Sequence, residues 1–228
     1  MFVRLLFNEP ATATTRRIRL ALDGSSFHYR AGQAASLAAG PVESTPYSIA
    51  SAPHETARDG WLEFLIKVDG STRFGAVVDS LQPDTPIRVD GPAGNFTLPD
   101  LSPGLPLLFI AGGTGIAPLR SMILEALHTR KEGKLALVYS ARTPDEFAYV
   151  DELRGLAVEG SLALTLTLTG KAEDWTHSRG RAGVAHLSDL VTPGTLAFVC
   201  GPPAMVAELP AALVSLGLPR ERVRTEDW

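Results

Sequence analysis

The sequence predicts a two-domain protein of the β plus α/β class, in which an antiparallel β-barrel precedes a parallel-sheet domain with helices on both faces. In the first hundred residues, short strand-like runs alternate with turn signals such as Asp-Gly, which is typical of a small barrel. After Pro103, apolar strands alternate with helical patterns, which indicates a covered parallel sheet. The change falls within 98–106, where three prolines and one glycine occur, so we expect domains at residues 1–100 and 105–228.

The first domain is predicted to hold five strands and one short helix. Glycine tolerates positive φ and aspartate bonds its own backbone, so Asp-Gly and Ala-Gly pairs mark the turns between strands. Strands are expected at 2–7, 15–22, 47–50, 61–68 and 86–89, with a helix around 73–81.

The second domain is predicted to alternate five strands with three helices. Its first strand is wholly apolar, as is usual for a strand covered on both faces. Strands are expected at 107–111, 135–139, 162–168, 196–200 and 222–226, and helices at 118–129, 144–153 and 204–216.

The composition excludes several classes of protein. The 228 residues are 45% hydrophobic and 20% charged, which is unlike a disordered chain. No window reaches the roughly 18 uninterrupted apolar residues of a membrane span, and the first residues lack the apolar region of a signal peptide. We therefore expect a cytoplasmic protein, for which a monomer is sufficient. The net charge of −4 is spread evenly along the chain, so no basic face for nucleic acid is predicted.

The single cysteine, Cys200, limits the redox chemistry open to the chain. One thiol cannot form an internal disulfide, and a Cys-ligated iron–sulfur cluster typically needs four thiolates. The five histidines show no metal-ligand spacing, so no metal site is predicted. Any redox chemistry must therefore come from a bound organic cofactor.

Two loops between strands and helices carry the clearest chemical signal. Residues 111–118 read Ala-Gly-Gly-Thr-Gly-Ile-Ala-Pro; such glycines bring N–H groups close to a ligand, and a helix N-terminus favours a phosphate. The loop lacks the Lys-Ser/Thr of a Walker A loop and the G-x-G-x-x-G spacing, and by itself a tight turn is the alternative. Residues 200–203, Cys-Gly-Pro-Pro, also end a strand and open a helix. In a parallel sheet both loops can line one crevice, which favours a nucleotide-binding domain.

Four motifs stand in the order found in ferredoxin–NADP(H) reductases and related flavin oxidoreductases, which the chain resembles over almost its whole length. They read TPYSIAS at 45–51, GPAGNF at 91–96, GGTGIAP at 112–118 and CGPPAM at 200–205. The resemblance implies an FAD-binding barrel and a domain that binds NADPH or NADH. It also implies electron transfer through FAD to a ferredoxin-like or other electron-accepting protein.

In the first domain, the resemblance implies that Tyr47 packs against the flavin and that the Ser48 hydroxyl bonds near flavin N5. The family's arginine on the flavin diphosphate is replaced here by Thr45, and a charge-assisted contact of that kind is typically worth ~1.5–3 kcal/mol. We expect either weaker FAD binding or compensation by Arg73 or Lys67. The family's Gly-x-x-Ser/Thr segment is blurred, so its helix start would offer only backbone N–H groups. FAD contacts are thus expected from Thr45, Pro46, Tyr47, Ser48, Ile66, Lys67, Phe74, Gly75 and Ala76.

In the second domain, the resemblance implies that the glycine loop approaches the pyrophosphate and ribose, and that Cys200 lies beside nicotinamide C4 as a positional thiol. Glu226 would position nicotinamide and shuttle protons, and Trp228 would cover the flavin face; a frayed polar tail is the alternative. Deleting Trp228 should then tighten binding of oxidised nicotinamide. Catalytic roles are therefore expected for Ser48, Cys200, Glu226 and Trp228. Nucleotide contacts are expected from Gly113, Thr114, Gly115, Ser140, Arg142, Lys171, Arg181, Cys200, Gly201, Pro202 and Trp228.

The preference between NADH and NADPH depends on donors for the 2′-phosphate. Ser140 and Arg142 follow the second strand of this domain, where relatives place such donors. Lys171 stands where the next arginine is expected, and Arg181 lies further on. The pattern favours NADPH.

Three functions agree with these features. The main hypothesis is an NAD(P)H-dependent flavoprotein reductase for a ferredoxin-type or other redox partner. The first alternative is the reductase component of a multicomponent oxygenase. The second is a degenerate sensor or assembly subunit that binds flavin or nucleotide without turnover, which Thr45 and the blurred Gly-x-x-Ser/Thr segment favour.

Overall fold

A computed structural model describes residues 1–100, 102–130 and 132–227. The chain divides into two compact units. The first holds Met1–Pro99 together with Arg120–His128, and the second holds Asp100–Leu119 and the chain from Thr129 onward.

The first unit is built on a six-stranded antiparallel sheet in the order β4-β3-β6-β1-β2-β5. An antiparallel bridge between Ile49, just after β4, and Phe64 of β5 joins the two edges of the sheet. The sheet therefore closes into the predicted barrel, whose inward-facing apolar side chains form one core. Its strands are β1 (Phe2–Thr12), β2 (Thr15–Ala21), β3 (Ala34–Ala39), β4 (Thr45–Ser48), β5 (Trp61–Lys67) and β6 (Pro86–Ala93).

Two elements of the barrel were not predicted. Strand β3 is Ala-Ala-Ser-Leu-Ala-Ala, a sequence with no β-branched residue and therefore weak strand propensity; its pairing with β4 and β6 fixes it. Helix α1 (Pro53–Asp59) spans only two turns. Its signals were a proline at the first position and Glu55, whose carboxylate accepts from the Ala52 N–H at 2.9 Å. Helix α2 (Arg73–Val78) matches the helix expected around 73–81 but ends earlier.

A buried polar cluster holds the chain that follows β4. The Arg120 guanidinium, 4% exposed, donates to the Ala50 carbonyl at 2.8 Å and to both oxygens of Glu55 at 3.0 and 3.3 Å. The hydroxyls of Ser121 and Tyr29 donate to the Ser51 carbonyl at 2.7 and 2.8 Å. Buried carbonyls need such partners, so this cluster fixes the backbone of residues 50–52.

The second unit carries a six-stranded parallel sheet in the order β10-β9-β8-β7-β11-β12. The chain steps in one direction from β7 to β10 and in the other direction from β11 to β12, and right-handed crossovers then place helices on opposite faces. The predicted parallel sheet is therefore confirmed. Its strands are β7 (Leu107–Gly112), β8 (Leu135–Ala141), β9 (Ala163–Leu168), β10 (Ser178–Arg179), β11 (Leu196–Gly201) and β12 (Val223–Asp227), and its helices are α4 (Val150–Val158), α5 (Val184–Leu187) and α6 (Pro203–Ser215). Helix α3 (Ile116–Thr129) begins after β7, and its residues Arg120–His128 belong to the first unit.

Helix α4 begins later than predicted. Pro144–Glu146 forms a 3-10 turn, and Tyr149 takes the left-handed conformation at φ 58°, which an α-helix cannot continue through. The longest helix, α3, has 14 residues. Over the described ranges, no helix combines the length and hydropathy that a membrane crossing requires.

Candidate functional site

The second unit places both sequence loops at one switch point of its sheet. Strand β7 pairs with β8 on one side and β11 on the other, and the chain leaves β7 and β11 in opposite directions. In open α/β sheets, ligands bind outside the carboxyl ends of the strands at such a point. The loop after β7 is a 3-10 turn, Gly113–Gly115, that runs directly into α3.

The two loops touch through their glycines. A Cβ on Gly115 would lie 2.2 Å from the Cys200 carbonyl oxygen, and a Cβ on Gly201 would lie 3.1 Å from the Gly112 nitrogen. Gly113 takes φ +55°, a conformation that L side chains rarely adopt. Glycine is therefore required here for close packing and for the turn itself.

Cys200 lies in the middle of this edge as a neutral thiol. It is buried, and its Cα is in register with Ala111 on β7 and Glu226 on β12. Burial, followed by the charges of Glu226 and Asp227, raises the pKa of the thiol well above its usual range. Such a thiol is a poor nucleophile, in keeping with the positional role expected of it. Glu226 itself is half-buried, whereas Trp228 lies outside the described residues.

Three of the predicted cations follow successive strands of this sheet. Arg142 comes directly after β8, Lys171 follows β9, and Arg181 follows β10. The Gly170 N–H donates to the Arg142 carbonyl at 3.0 Å, which brings the ends of β8 and β9 together. Arg142 pairs with Glu146 at 2.9 Å and Arg181 with Glu208 at 3.2 Å. Ser140 is buried, unlike the three exposed cations.

The first unit carries the predicted flavin residues on β4 and α2. Strand β4 pairs with β3, so that Tyr47 lies opposite Ala35 and Ser48 opposite Ala34. Neighbouring strand residues point to opposite faces, and Tyr47 is the one that packs against the barrel core. Its hydroxyl lies 2.5 Å from the Thr72 Oγ1. Burial raises the pKa of Tyr47, so the phenol is neutral.

The start of α2 corrects one expectation. The Gly75 N–H donates to the Thr72 Oγ1 and the Ala76 N–H to the Thr72 carbonyl, both at 3.0 Å. Two of the three amides expected to serve a diphosphate are therefore already bonded by Thr72. By resemblance, Gly75 stands at the Ser/Thr position of the family's Gly-x-x-Ser/Thr segment. A Cβ there would lie 2.3 Å from the Lys67 carbonyl oxygen, so this backbone leaves no room for a side chain.

Two other expected contacts point into the core. Ile66 and Phe74 are both fully buried members of the barrel core, because alternate residues of β5 face inward and Phe74 stands beneath Tyr47 at 5.8 Å between ring centroids. Their side chains are unavailable to a cofactor, which leaves only backbone contacts of the kind expected of Phe74. Pro46 is exposed and Thr45 half-buried on β4.

The two cations expected to replace the missing arginine each pair with a carboxylate. Arg73, the first residue of α2, reaches Glu43, two residues before Thr45, at 2.8 Å. Lys67 ends β5 and pairs with Asp69 at 2.6 Å. Half-buried Tyr47, exposed Arg73 and the hydroxyl of Thr72 form a polar and aromatic edge, so the residues present fit a flavin nucleotide.

Sequence reasoning missed the residues that hold these groups in place. Thr72 precedes a helix, which is an N-cap signature and could have been found. Glu43 pairs with Arg73 through a tertiary contact, whereas Glu146 pairs with Arg142, only four residues before it. No sequence pattern identifies Arg120 as a buried side chain.

Two family models cover most of the chain. One, the oxidoreductase FAD-binding domain, matches residues 3–98, and the other, the oxidoreductase NAD-binding domain, matches residues 109–209. The first match spans all six strands of the antiparallel sheet, and the second spans the parallel sheet except for its last strand, β12.

Curated relatives and solved structures extend the likeness over the full length. The chain is 32% identical to ferredoxin–NADP reductase B of Sorangium cellulosum over 220 residues, 90% of this chain and 88% of that protein. It is 30% identical to the ferredoxin–NAD(P)(+) reductase component of a naphthalene 1,2-dioxygenase system of Pseudomonas putida, covering 94% of this chain and 65% of that one. A ferredoxin NADP+ reductase from Neisseria gonorrhoeae, 22% identical, shares the fold with a TM-score of 0.83 over 100% of this chain and 98% of that one.

Proposed function

The chain belongs to the ferredoxin–NADP(H) reductase-like family of flavin oxidoreductases, and on that basis we propose that it passes electrons from NAD(P)H through FAD to a ferredoxin-type or other electron-accepting protein. It is an NAD(P)H-dependent flavoprotein oxidoreductase. FAD, when bound, supplies a ring that takes up a hydride at N5 and releases electrons one at a time.

The first unit binds and orients the flavin in this proposal. Tyr47 packs against it as a neutral aromatic ring, and Ser48, the next residue along β4, offers a hydroxyl that can both donate and accept near N5. Arg73 supplies the positive charge for the diphosphate from α2, because β4 carries Thr45 where the family has arginine.

The second unit binds the nicotinamide nucleotide at the switch point. Gly113–Gly115 lets the pyrophosphate approach the backbone, and the start of α3 adds a favourable partial charge. Buried Cys200 limits the room beside nicotinamide C4 without exchanging a proton, since its thiol stays protonated. Glu226, in register with Cys200 on β12, is the ionisable group proposed to position nicotinamide.

The observation that supports this function most strongly is the pair of glycine loops meeting at the switch point of the parallel sheet. The test is anaerobic mixing of the FAD-loaded protein with NADH and with NADPH. Rapid loss of the flavin absorbance near 450 nm, followed by its return when an acceptor protein is added, is the expected result. A protein that binds flavin but keeps its absorbance with both coenzymes would contradict the proposal and favour the degenerate sensor.

One alternative acceptor is favoured by the comparisons. Reductase components of naphthalene dioxygenase and propane monooxygenase systems are among the relatives, so an oxygenase component is a second candidate partner. The screen of acceptors therefore includes a ferredoxin and an oxygenase. A cytoplasmic location and a monomeric state stay predictions of the sequence.

We also propose that NADPH is the preferred coenzyme. Arg142 and Lys171 stand at adjacent strand ends, where a 2′-phosphate can be bound by two cations. Arg142→Ala should lower kcat/KM for NADPH about tenfold and leave that for NADH within twofold. Glu146→Gln should raise kcat/KM for NADPH, because it releases Arg142 from its ion pair. Equal losses with both coenzymes in Arg142→Ala would contradict the assignment.

A further inference from the structure

Tyr139 on β8 has a buried hydroxyl that reaches the glycine loop. The residue is 0% exposed, and its Cα is in register with Ala111, just before the loop. The hydroxyl donates to the Gly113 carbonyl at 3.1 Å and accepts from the Ala148 N–H at 3.2 Å. A hydroxyl has one proton, and because Ala148 supplies its own, the Tyr139 proton is directed to Gly113.

The Gly113 carbonyl is fixed from two sides. Besides Tyr139, the Ile116 N–H donates to it within the 3-10 turn, so both lone pairs are used. The peptide between Gly113 and Thr114 is planar and trans, so its N–H points opposite to its carbonyl. With the carbonyl held against Tyr139, the Thr114 N–H is therefore turned away from the interior, at a half-exposed residue.

The ring of Tyr139 is itself held in place. Phe147 packs against it edge-on, with 4.9 Å between ring centroids and planes at 78°, a favourable aromatic geometry. Trp175 stacks on the other side of Phe147 at 5.7 Å and 17°. Burial raises the pKa of the phenol far above its ordinary value, so the hydroxyl is a donor at every working pH.

We propose that Tyr139 is a positioning residue for the nicotinamide nucleotide, which holds the Gly113 peptide so that the Thr114 N–H is presented to the pyrophosphate. This inference rests on the proposed function, since it assigns the loop to the coenzyme. Tyr139 touches no part of the coenzyme; it acts through the backbone of the loop.

The test compares coenzyme binding by the FAD-loaded wild type and Tyr139→Phe, which removes the hydroxyl and keeps the ring. Isothermal titration with NAD+ and NADP+ should show Kd values raised about 2- to 12-fold in the variant, because one neutral hydrogen bond is lost. The rate of flavin reduction at saturating coenzyme should stay within twofold. A general structural defect would lower the rate of flavin reduction as well as raise the Kd of the coenzyme.

Two further variants keep the test decisive. Tyr29→Phe also removes a buried hydroxyl, but in the barrel, and should lower Tm without changing coenzyme Kd. Ala148→Pro removes the N–H that orients Tyr139; Phe147 has the extended backbone that precedes proline, and Tyr149 follows with φ 58°, as in a type II turn. Ala148→Pro should raise the Kd of the coenzyme about 2- to 5-fold. If Tyr139→Phe does not fold, Ala148→Pro tests the positioning role of Tyr139.

The outcomes separate the two proposals. If the wild type binds coenzyme and Tyr139→Phe or Ala148→Pro leaves Kd within 1.5-fold, Tyr139 has no positioning role, although the proposed function stands. A wild type that binds neither NAD+ nor NADP+ overturns both proposals. An unchanged Kd with a slower flavin reduction would also overturn the positioning role.

Discussion

Arg73 on α2 is the residue that we propose to replace the charge missing at Thr45 on β4. A threonine on β4 cannot make the charge-assisted contact that the family's arginine makes, and Arg73 on α2 reaches the chain two residues before it. Its partner Glu43 is equally exposed, and exposed pairs are worth at most about 1 kcal/mol. A diphosphate, with more charge and more acceptor oxygens, can therefore displace Glu43 from Arg73.

We expect Arg73→Ala to raise the Kd of FAD about tenfold, since a contact of about 1.4 kcal/mol corresponds to that factor. Thr45→Arg should lower the Kd, because it returns a guanidinium to β4. Both values follow from fluorescence titration of the flavin-free protein. Arg58→Ala is the control, because Arg58 is exposed in the same unit and pairs with Asp59; an equal effect there would contradict a specific role for Arg73.

At the scale of elements, the turn from β7 into α3 tolerates no side chain where it meets β11. A methyl group on Gly115 would overlap the Cys200 carbonyl, and overpacking typically costs 1–3 kcal/mol. We expect Gly115→Ala to lower the free energy of unfolding by about that much and to weaken coenzyme binding. Urea unfolding and coenzyme titration measure the two effects.

Gly155 is the matched control for that substitution. It is an exposed residue in the middle of α4, and a Cβ added to it would have nothing within 4 Å. Gly155→Ala should therefore stabilise the protein by about 0.5–1 kcal/mol, because alanine has a higher helix propensity than glycine. If Gly115→Ala and Gly155→Ala change the free energy of unfolding equally, Gly115 is not required for close packing of the loops.

The Arg120 cluster makes a second prediction at this scale. Removing one partner of a buried ion pair typically costs about 3–5 kcal/mol, because the other charge is left uncompensated. Arg120→Met leaves Glu55 and the Ala50 carbonyl without this donor, and should lower the urea midpoint strongly. Adding Glu55→Gln should restore part of the loss. Strictly additive effects of the two substitutions would mean that the pair is not coupled.

Regular patterns made some elements predictable and not others. The apolar runs of β7 and β11 could be recognised as strands from the sequence, because a strand covered on both faces is apolar throughout. The alanine-rich β3 has no such pattern and is fixed by its partner strands. The start of α4 depends on the left-handed Tyr149, a conformation that nothing in the local sequence requires.

For the whole molecule, phenols that are wholly or partly buried contribute to the dependence of stability on alkaline pH, together with the buried Cys200 thiol. Burial raises the pKa of Tyr29 to about 12 and also raises the pKa of Tyr47 and Tyr139, whereas an unfolded tyrosine titrates near 10. The unfolded chain therefore loses protons first as the pH rises. The contribution of these tyrosines to the free energy of unfolding is complete below about pH 10 and is lost as the pH rises towards about 12.

We expect Tm to fall steeply above pH 10, and Tyr29→Phe to make that fall shallower, since one titrating group is removed. Thermal unfolding followed by circular dichroism between pH 8 and 11.5 gives both curves. Parallel curves for the two proteins would show that Tyr29 does not contribute.

The two-domain organisation and the glycine loops could be predicted because they depend on local patterns that survive in one sequence. The roles of Glu43 and Tyr139 could not, because their partners Arg73 and Gly113 lie far along the chain. Ile66 and Phe74 were expected to contact FAD, but the barrel uses their side chains for its core.

Cys200 also gives the protein an internal probe of its own motion. Because it is the single thiol in the sequence and lies buried in β11 with its proton held, a thiol reagent can react only when that strand is transiently uncovered. The rate of labelling under native conditions therefore measures how often the centre of the parallel sheet opens, without any added dye or engineered site. We expect bound coenzyme to lower the rate at which Cys200 is labelled.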